Sequence, residues 1–373
     1  MKHKLNNKIN KVNYVAKRVI TKNVLSKTEY ALYPNTIYLS VNSTCNARCK
    51  MCDVGQKVTS SQFYQHMIGS GENRELSMEK LKELVDEVKE FNPLIAVIST
   101  EPLLYRDLFK FSKYVVDNGL EIQITTNGLL LENFASDIIQ SGIQNLYISI
   151  DGPPAVHNEI RGVPGIFEKA IAGIKKIQEL KKETNSNFPR LFVNYTISPL
   201  NYWTLYDFLE EVKSLELDNI VFSHLNFVNG EMAEKHNRLY KTILGEATSS
   251  CVSMIDPTKI KIDVLAEQIK LVKEKYGKLC SFSPDLDINQ LYDFYNVPEK
   301  IIAQKRCIVM WNSTQIMADG SVIPMTRCFK ICLGNINDND FKEIWNGAKM
   351  KTFRRKMKKI KLTPACTRCC AVF

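Results

Sequence analysis

The chain has 373 residues, 45% of them hydrophobic and 24% charged, so it can bury a large core without disulfide staples and exceeds the size of one simple domain. It contains neither an apolar run of about 18 residues nor an apolar signal core near its start, which argues against membrane spanning and export and predicts a cytoplasmic protein. The net charge of +10 is concentrated, since residues 1–35 carry +7 and residues 341–363 carry +8, leaving the body near −5.

Residues 1–35 read as a basic arm. A helix drawn over it puts Leu5, Ile9, Val12 and Val19 on one side and Lys4, Lys8, Lys11, Lys17 and Lys22 on the other. That pattern suits peripheral contact with an anionic membrane surface, and equally an arm packed on its own core. The apolar, β-branched run Ile37 to Val41 predicts a first strand, which feeds directly into the loop Ser43-Thr44-Cys45-Asn46-Ala47-Arg48-Cys49-Lys50-Met51-Cys52. Cys45, Cys49 and Cys52 offer three thiolates and no fourth within reach. A zinc knuckle or an ordinary electron-transfer cluster needs four protein ligands, whereas three suit a four-iron cluster with one iron left open. In a reducing compartment the clustered spacing of the eleven Cys points to metal ligation rather than disulfides, with the isolated Cys251 and Cys280 read as buried structural thiols.

Beyond the loop, strand and helix patterns alternate. Ser77 N-caps a helix with Leu81, Leu84, Val85 and Val88 on its apolar side, and a strand over Leu94 to Ser99 ends at Thr100-Glu101-Pro102. Further strands are predicted at Glu121 to Thr126, Asn145 to Ile150, Arg190 to Ile197 and Asn219 to His224, with helices between. About six such units fit right-handed βαβ connections in a parallel sheet and are too few for a closed eight-fold barrel. The expected fold is α/β, a partial (β/α)6 TIM-like barrel, with a doubly wound sheet as the other arrangement. Either one gathers chemistry at the C-terminal strand ends. Glu101, Asn127, Ser149 and Asp151 stand at those ends and Arg161 shortly beyond. Singly, Asn127-Gly128 and Asp151-Gly152 are turns and Glu101 a helix cap. Together they offer carboxylates for hydroxyls and an ammonium, and a guanidinium for a carboxylate.

Residues 229–305 carry helical patches such as Val264 to Val272 and a Tyr- and Phe-bearing stretch, Leu291 to Tyr295, and read as a bridge or substrate cover. In 306–373, strands at Val309 to Met317 and Val322 to Met325 flank Asp319-Gly320, a hairpin signal that makes Cys307 and Cys328 neighbours. Cys366-x2-Cys369 adds two more thiolates; zinc or an iron–sulfur cluster would accept the four. The second basic stretch reads as a packed helix. Four segments result: an arm at 1–35, the barrel at 36–228, the bridge at 229–305 and a small β-hairpin-plus-helix cluster domain at 306–373.

Taken together, the Cys-x3-Cys-x2-Cys loop after the first strand and the Ser149-x-Asp151-Gly152 and Arg161-Gly162 segments resemble the radical S-adenosylmethionine (SAM) superfamily. The resemblance implies that Cys45, Cys49 and Cys52 hold a 4Fe-4S cluster whose open iron chelates SAM. It also implies SAM contacts at Thr100, Glu101, Asn127, Ser149, Asp151 and Arg161, with Ser99 and Thr100 replacing two glycines of the family's segment and His157 structural. The order Cys307, Gly320, Pro324, Cys328, Leu333-Gly334-Asn335-Ile336, Ile344-Trp345 and Cys366-x2-Cys369 resembles the SPASM/Twitch extension, implying one auxiliary 4Fe-4S cluster on Cys307, Cys328, Cys366 and Cys369. Cys332 and Cys370 are then spare thiols or substitutes. The implied reaction is one-electron cleavage of SAM to methionine and a 5′-deoxyadenosyl radical that takes hydrogen from a substrate. The electron comes from an external reductant such as flavodoxin or ferredoxin, and the net result is an oxidation or a cross-link. The substrate would be a peptide, a sugar-like molecule or an envelope-related compound. Some 35 residues before the first strand are too few for a leader-peptide-binding domain. A zinc-binding RNA-interacting protein is the alternative; it explains the basic ends but not the three-thiolate loop, and no clear nucleic-acid signal accompanies it.

Overall fold

Six strand-and-helix units follow one another in the computed structural model, which describes residues 27–69, 73–302 and 304–372. The expected membrane-facing helix of the arm falls on residues 1–26 and lies outside the described residues. The units comprise β1 (Thr36–Leu39) with α1 (Gln62–Met67) and α2 (Met78–Val88), then β2 (Leu94–Val97) with α3 (Leu108–Asp117), and β3 (Ile122–Thr126) with α4 (Ala135–Gln140). They continue with β4 (Asn145–Ser149), α5 (Pro154–Arg161) and α6 (Ile166–Glu183), then β5 (Arg190–Ile197) with α7 (Leu205–Val212), and β6 (Asn219–His224). Each strand pairs in parallel with the next. Local chemistry accounts for the boundaries. Ser77 Oγ accepts from Lys80 N at 3.2 Å, and α2 then buries Leu81, Leu84, Val85 and Val88.

The segment expected to bridge or cover instead extends the sheet. Between α8 (Gly230–Leu244), α9 (Ile262–Tyr276) and α10 (Ile288–Asn296) lies β7 (Cys280–Ser283), parallel to β6. Phe282 stacks on Phe222 with ring centroids 5.2 Å apart, so one aromatic pair ties the added strand to the core. Cys280 is half-buried there, not wholly buried.

The C-terminal region also joins the sheet. The strand expected over Val309 to Met317 divides into one helical turn, α11 (Val309–Asn312), and β8 (Ser313–Ile316). The buried Arg354 takes the Met310 carbonyl at 2.7 Å and Trp311 Nε1 donates to Thr28 O at 3.1 Å, which draws this stretch away from strand pairing. β9 (Ser321–Ile323) stops at Pro324, which has no N–H for the ladder. β8 and β9 are antiparallel across the Asp319-Gly320 turn, and β10 (Gly334–Asn335) pairs with β9. β8 itself lies parallel to β1, giving the order β10-β9-β8-β1-β2-β3-β4-β5-β6-β7. The architecture is a partial TIM-like barrel with a C-terminal extension. α12 (Phe341–Trp345) and α13 (Ala348–Ile360) close the far side, α13 burying Met350, Phe353, Arg354 and Met357 while its lysines stay outside. Among the described residues no helix is long and apolar enough to cross a membrane.

Candidate cluster and cofactor site

The cysteine loop leaves β1 and docks on the C-terminal end of α5. Arg48 N and Lys50 N donate to Arg161 O at 2.9 Å and Ile160 O at 2.8 Å, carbonyls that the helix itself leaves without partners. Gly162, at φ +65°, makes this docking possible, since a Cβ there would sit 2.8 Å from Arg48 O. A Cβ on Gly55 would come within 2.6 Å of Cys49 N, so the loop closes tightly around itself. Gln56 Nε2 donates to Arg48 O and Cys49 O, both at 3.1 Å. Cys45, Cys49 and Cys52 line one cavity with Ala47, Val54, Phe63, Met67, Ser99 and Thr100. Burial pushes the Cys45 thiol up to about 11 and the Cys52 thiol to about 12, and raises Cys49 as well. Three soft donors in an apolar, water-poor cavity with no fourth Cys fit a cluster that keeps one coordination position for a non-protein ligand.

On the adjoining rim the structure draws five of the six sequence-predicted SAM contacts into two hydrogen-bonded groups, Thr100, Glu101 and Asn127 in one and Asp151 with Arg161 in the other. Glu101 is completely buried. Its Oε1 accepts from Leu103 N at 3.0 Å and Thr126 Oγ1 at 2.7 Å, and its Oε2 from Asn127 N at 2.8 Å. Burial raises its pKa, and these donors oppose that rise. One carboxylate therefore both caps the turn Pro102–Leu104 and clamps the end of β3. Thr100 Oγ1 donates to Asn42 O at 2.9 Å, and Asn127 Nδ2 donates to Asn46 Oδ1 at 2.8 Å, which ties β3 to the cysteine loop. Asp151 Oδ1 accepts from Thr196 N at 2.8 Å, and its Oδ2 pairs with Arg161 Nη2. Arg161 Nη1 in turn reaches Cys49 Sγ at 3.7 Å. Arg161 was expected to await a ligand carboxylate, but here it is held by the chain's own Asp151; its Nε is buried without a partner. His157 is structural, its Nδ1 accepting from Asp151 N at 2.9 Å. Ser149 ends β4, half-buried.

A second set of thiols gathers around the hairpin. Burial and the neighbouring Cys366 and Cys370 push Cys307 up to about 12, and Cys328 is raised by burial together with Cys307, Cys366 and Cys370. Cys369 donates to Cys370, which raises the first and lowers the second. Five thiols thus lie within one another's electrostatic reach, while Cys332 is exposed and donates to the Gly334 carbonyl at 3.1 Å.

Residues 39–215 match the model of the radical SAM superfamily, and residues 307–370 match that of the SPASM iron-sulfur cluster-binding domain, together more than half of the chain. The chain belongs to the radical SAM superfamily. Among curated relatives, an AdoMet-dependent heme synthase of Methanosarcina barkeri is 32% identical over 188 residues, 49% of this chain and 47% of that protein. A tungsten-containing aldehyde ferredoxin oxidoreductase cofactor-modifying protein of Pyrococcus furiosus is 20% identical over 353 residues, 89% of this chain and 86% of that one. The chain spans about half the length of the first of these. The structure of Streptococcus suis SuiB bound to S-adenosylmethionine superposes with a TM-score of 0.58 at 13% identity, covering 86% of this chain and 67% of that one, a likeness of fold. As a radical SAM protein with a SPASM domain, the chain binds a 4Fe-4S cluster and SAM and carries auxiliary iron–sulfur ligation.

Several residues of this radical SAM site carried no sequence signal. Gln315, fully buried on β8, donates through Nε2 to Ser40 Oγ at 3.0 Å and Ser99 Oγ at 2.9 Å, and accepts from Thr326 N at 3.2 Å. It connects the hairpin to the rim, and it stabilises Ser99 at φ +101°, the position where the family pattern has glycine. Cys251 and Arg327 are equally unheralded, for only the fold brings them to the cysteine loop. Cys251 N donates to Asp53 Oδ1 at 2.9 Å.

Proposed function

We propose that this radical SAM enzyme is an oxidoreductase in which Cys45, Cys49 and Cys52 hold the SAM-binding cluster and Cys307, Cys328, Cys366 and Cys369 hold one auxiliary cluster. The observation that carries this reading is the contrast between the two thiol sets. The first has three members facing a cavity beside the rim, and the second has enough thiols to complete its own coordination. When bound, the open cluster and SAM supply one-electron cleavage and hydrogen abstraction, and the auxiliary cluster supplies an acceptor for the electron left on the substrate.

The chain's own residues bind, orient and exclude water. Glu101 and Asn127 would hold the end of the site for the SAM ammonium and Ser149 and Asp151 that for its ribose, while Arg161 balances negative charge at Cys49 and Asp151. Thr100 holds the rim segment against Asn42. Reducing equivalents come from a flavodoxin- or ferredoxin-type donor. The substrate is a peptide, a sugar-like molecule or an envelope-related compound, a range that the names of the curated relatives widen to tetrapyrroles and cofactors. The net change is an oxidation or an oxidative cross-link.

Anaerobic reconstitution, iron and sulfide analysis, reduction, and detection of 5′-deoxyadenosine after SAM addition test the reading. A sample with its full complement of iron that fails to cleave SAM refutes it, and a product at the same oxidation state as the substrate refutes the oxidative part.

A further inference from the structure

Arg327 lies immediately before Cys328 in the hairpin and points back toward the barrel. Its Nη2 donates to Cys251 Sγ at 3.1 Å, and its guanidinium lies over the Phe63 ring, 4.4 Å from the centroid. Nε is sealed from solvent and has no partner, yet the side chain as a whole is only half-buried. It therefore borders a space and is not packed on every side. Cys52 of the first thiol set and Cys370 of the second both lie within its electrostatic field.

A guanidinium carries five N–H donors in a planar fork, and among the described residues no carboxylate meets this one. Setting such a charge against one sulfur and one aromatic face leaves much of its bonding capacity unused. Phe63 fixes the plane of the fork, because the ring takes up one of its faces. Cys251 is itself held in place: its N–H is tied to Asp53, its Sγ also accepts from Ser250 Oγ at 3.7 Å, and its backbone stands at φ +60°. Arg327 is thus pre-oriented, with free donors, between the two places where electrons are handled.

Resting on the function proposed above, we propose that Arg327 is the anchor for a carboxylate of the substrate, received on its exposed side next to Phe63, which lines the cavity of the first thiol set, and Cys251. The substrate class follows: a molecule carrying a carboxylate, held by that group so that a carbon elsewhere in it faces the SAM cavity.

The test uses the reconstituted holoenzyme under anaerobic conditions and two alkylating probes, anionic iodoacetate and neutral iodoacetamide. In both reactions the cysteine sulfur displaces iodide from the probe's methylene carbon, so the probes differ only in carboxylate against carboxamide. Peptide-resolved mass spectrometry gives the iodoacetate-to-iodoacetamide rate ratio at Cys251, with the exposed Cys332 as internal reference. If Arg327 receives carboxylates, the ratio at Cys251 exceeds that at Cys332 by about tenfold, the worth of one charge-assisted hydrogen bond over a neutral one. Arg327→Gln abolishes the excess, and Arg327→Lys, which keeps the charge without the fork, retains part of it. An excess that survives Arg327→Gln, or the absence of labelling of Cys251 by either probe, overturns the proposal. An unchanged ratio accompanied by a shifted auxiliary-cluster midpoint potential would assign Arg327 to the cluster instead, and also overturns it. Iron and sulfide per chain, measured on each variant, report both thiol sets independently. Failure of the wild type to cleave SAM would refute the function proposed above without altering the labelling ratio.

Discussion

Replacing Gln315 by Ala should loosen the rim of the SAM cavity from behind. The wild-type side chain satisfies Ser40 Oγ, Ser99 Oγ and the buried Thr326 N–H. The two hydroxyl oxygens lose only a donor and keep their own O–H, but the Thr326 N–H loses its acceptor. Leaving that donor unpaired and opening a small void costs about 2–4 kcal/mol of stability. Ser99 also loses the bond that favours its φ of +101°, a conformation costing about 1–3 kcal/mol for a non-glycine residue. Since Ser99 and Thr100 line the cavity, SAM affinity should fall by about tenfold, equivalent to about 1.4 kcal/mol. A double-mutant cycle with Ser99→Gly isolates the link. In the wild type, glycine gains backbone freedom and loses the Gln315 bond, so the two effects nearly cancel. In the Gln315→Ala background only the gain remains, and Ser99→Gly should stabilise by about 1 kcal/mol. Denaturant midpoints and equilibrium SAM binding measure both effects. Equal effects of Ser99→Gly in the two backgrounds would refute the coupling.

Cys49→Ala should remove SAM cleavage and about half of the iron while the auxiliary iron stays, as read by iron analysis and 5′-deoxyadenosine detection; retained cleavage would disprove the ligand assignment. Arg161→Gln should cost about 3–5 kcal/mol, because it strands the fully buried Asp151, and adding Asp151→Asn should recover much of that in denaturation experiments. Burial depresses the pKa of His224 to about 3, well below its unfolded value of 6.5. Its contribution to stability is therefore complete above pH 6.5 and is lost as the pH falls toward 3. His224→Gln should lessen the acid-side slope of the unfolding free energy by up to about 1.4 kcal/mol per pH unit relative to wild type, measured between pH 4 and pH 6.

The strands up to β6 and the cysteine loop were legible because their signals are local. An apolar β-branched run, a turn and a ligand spacing each lie within ten residues. Glu101 was readable both as a cap and as a rim residue, and the fold shows one carboxylate serving both ends. What escaped was non-local pairing. β7 has the short, mixed sequence Cys280–Ser283 and acquires its place only from β6. Nothing in Ser313–Ile316 announces a partner nearly 280 residues upstream, and the alternation that suggested a long strand there ignored the buried arginine that takes the Met310 carbonyl. The pairing of Arg161 with Asp151 was not legible, because the turn that opens α5 brings them together and charge patterning does not show it. Cys251 was read as a buried thiol, which it is, but its position beside Asp53 and Arg327 depends on the segment after β6 folding back over the cysteine loop.

The parallel pairing of β8 with β1 makes the C-terminal hairpin part of the same sheet as the cysteine loop. Ser40 N, at the base of the cysteine loop, donates to Ile316 O at 2.9 Å, and β8 turns at once into the hairpin that ends at Cys328. The strand that leads into the cysteine loop and the strand that opens the hairpin before Cys328 are therefore neighbours in one sheet, about 4.8 Å apart, while Cys366, Cys369 and Cys370 reach the second thiol set from the C-terminal turns. The two strands cannot part without breaking backbone hydrogen bonds. A change in the hairpin's position is thereby felt at the base of the cysteine loop through the sheet itself.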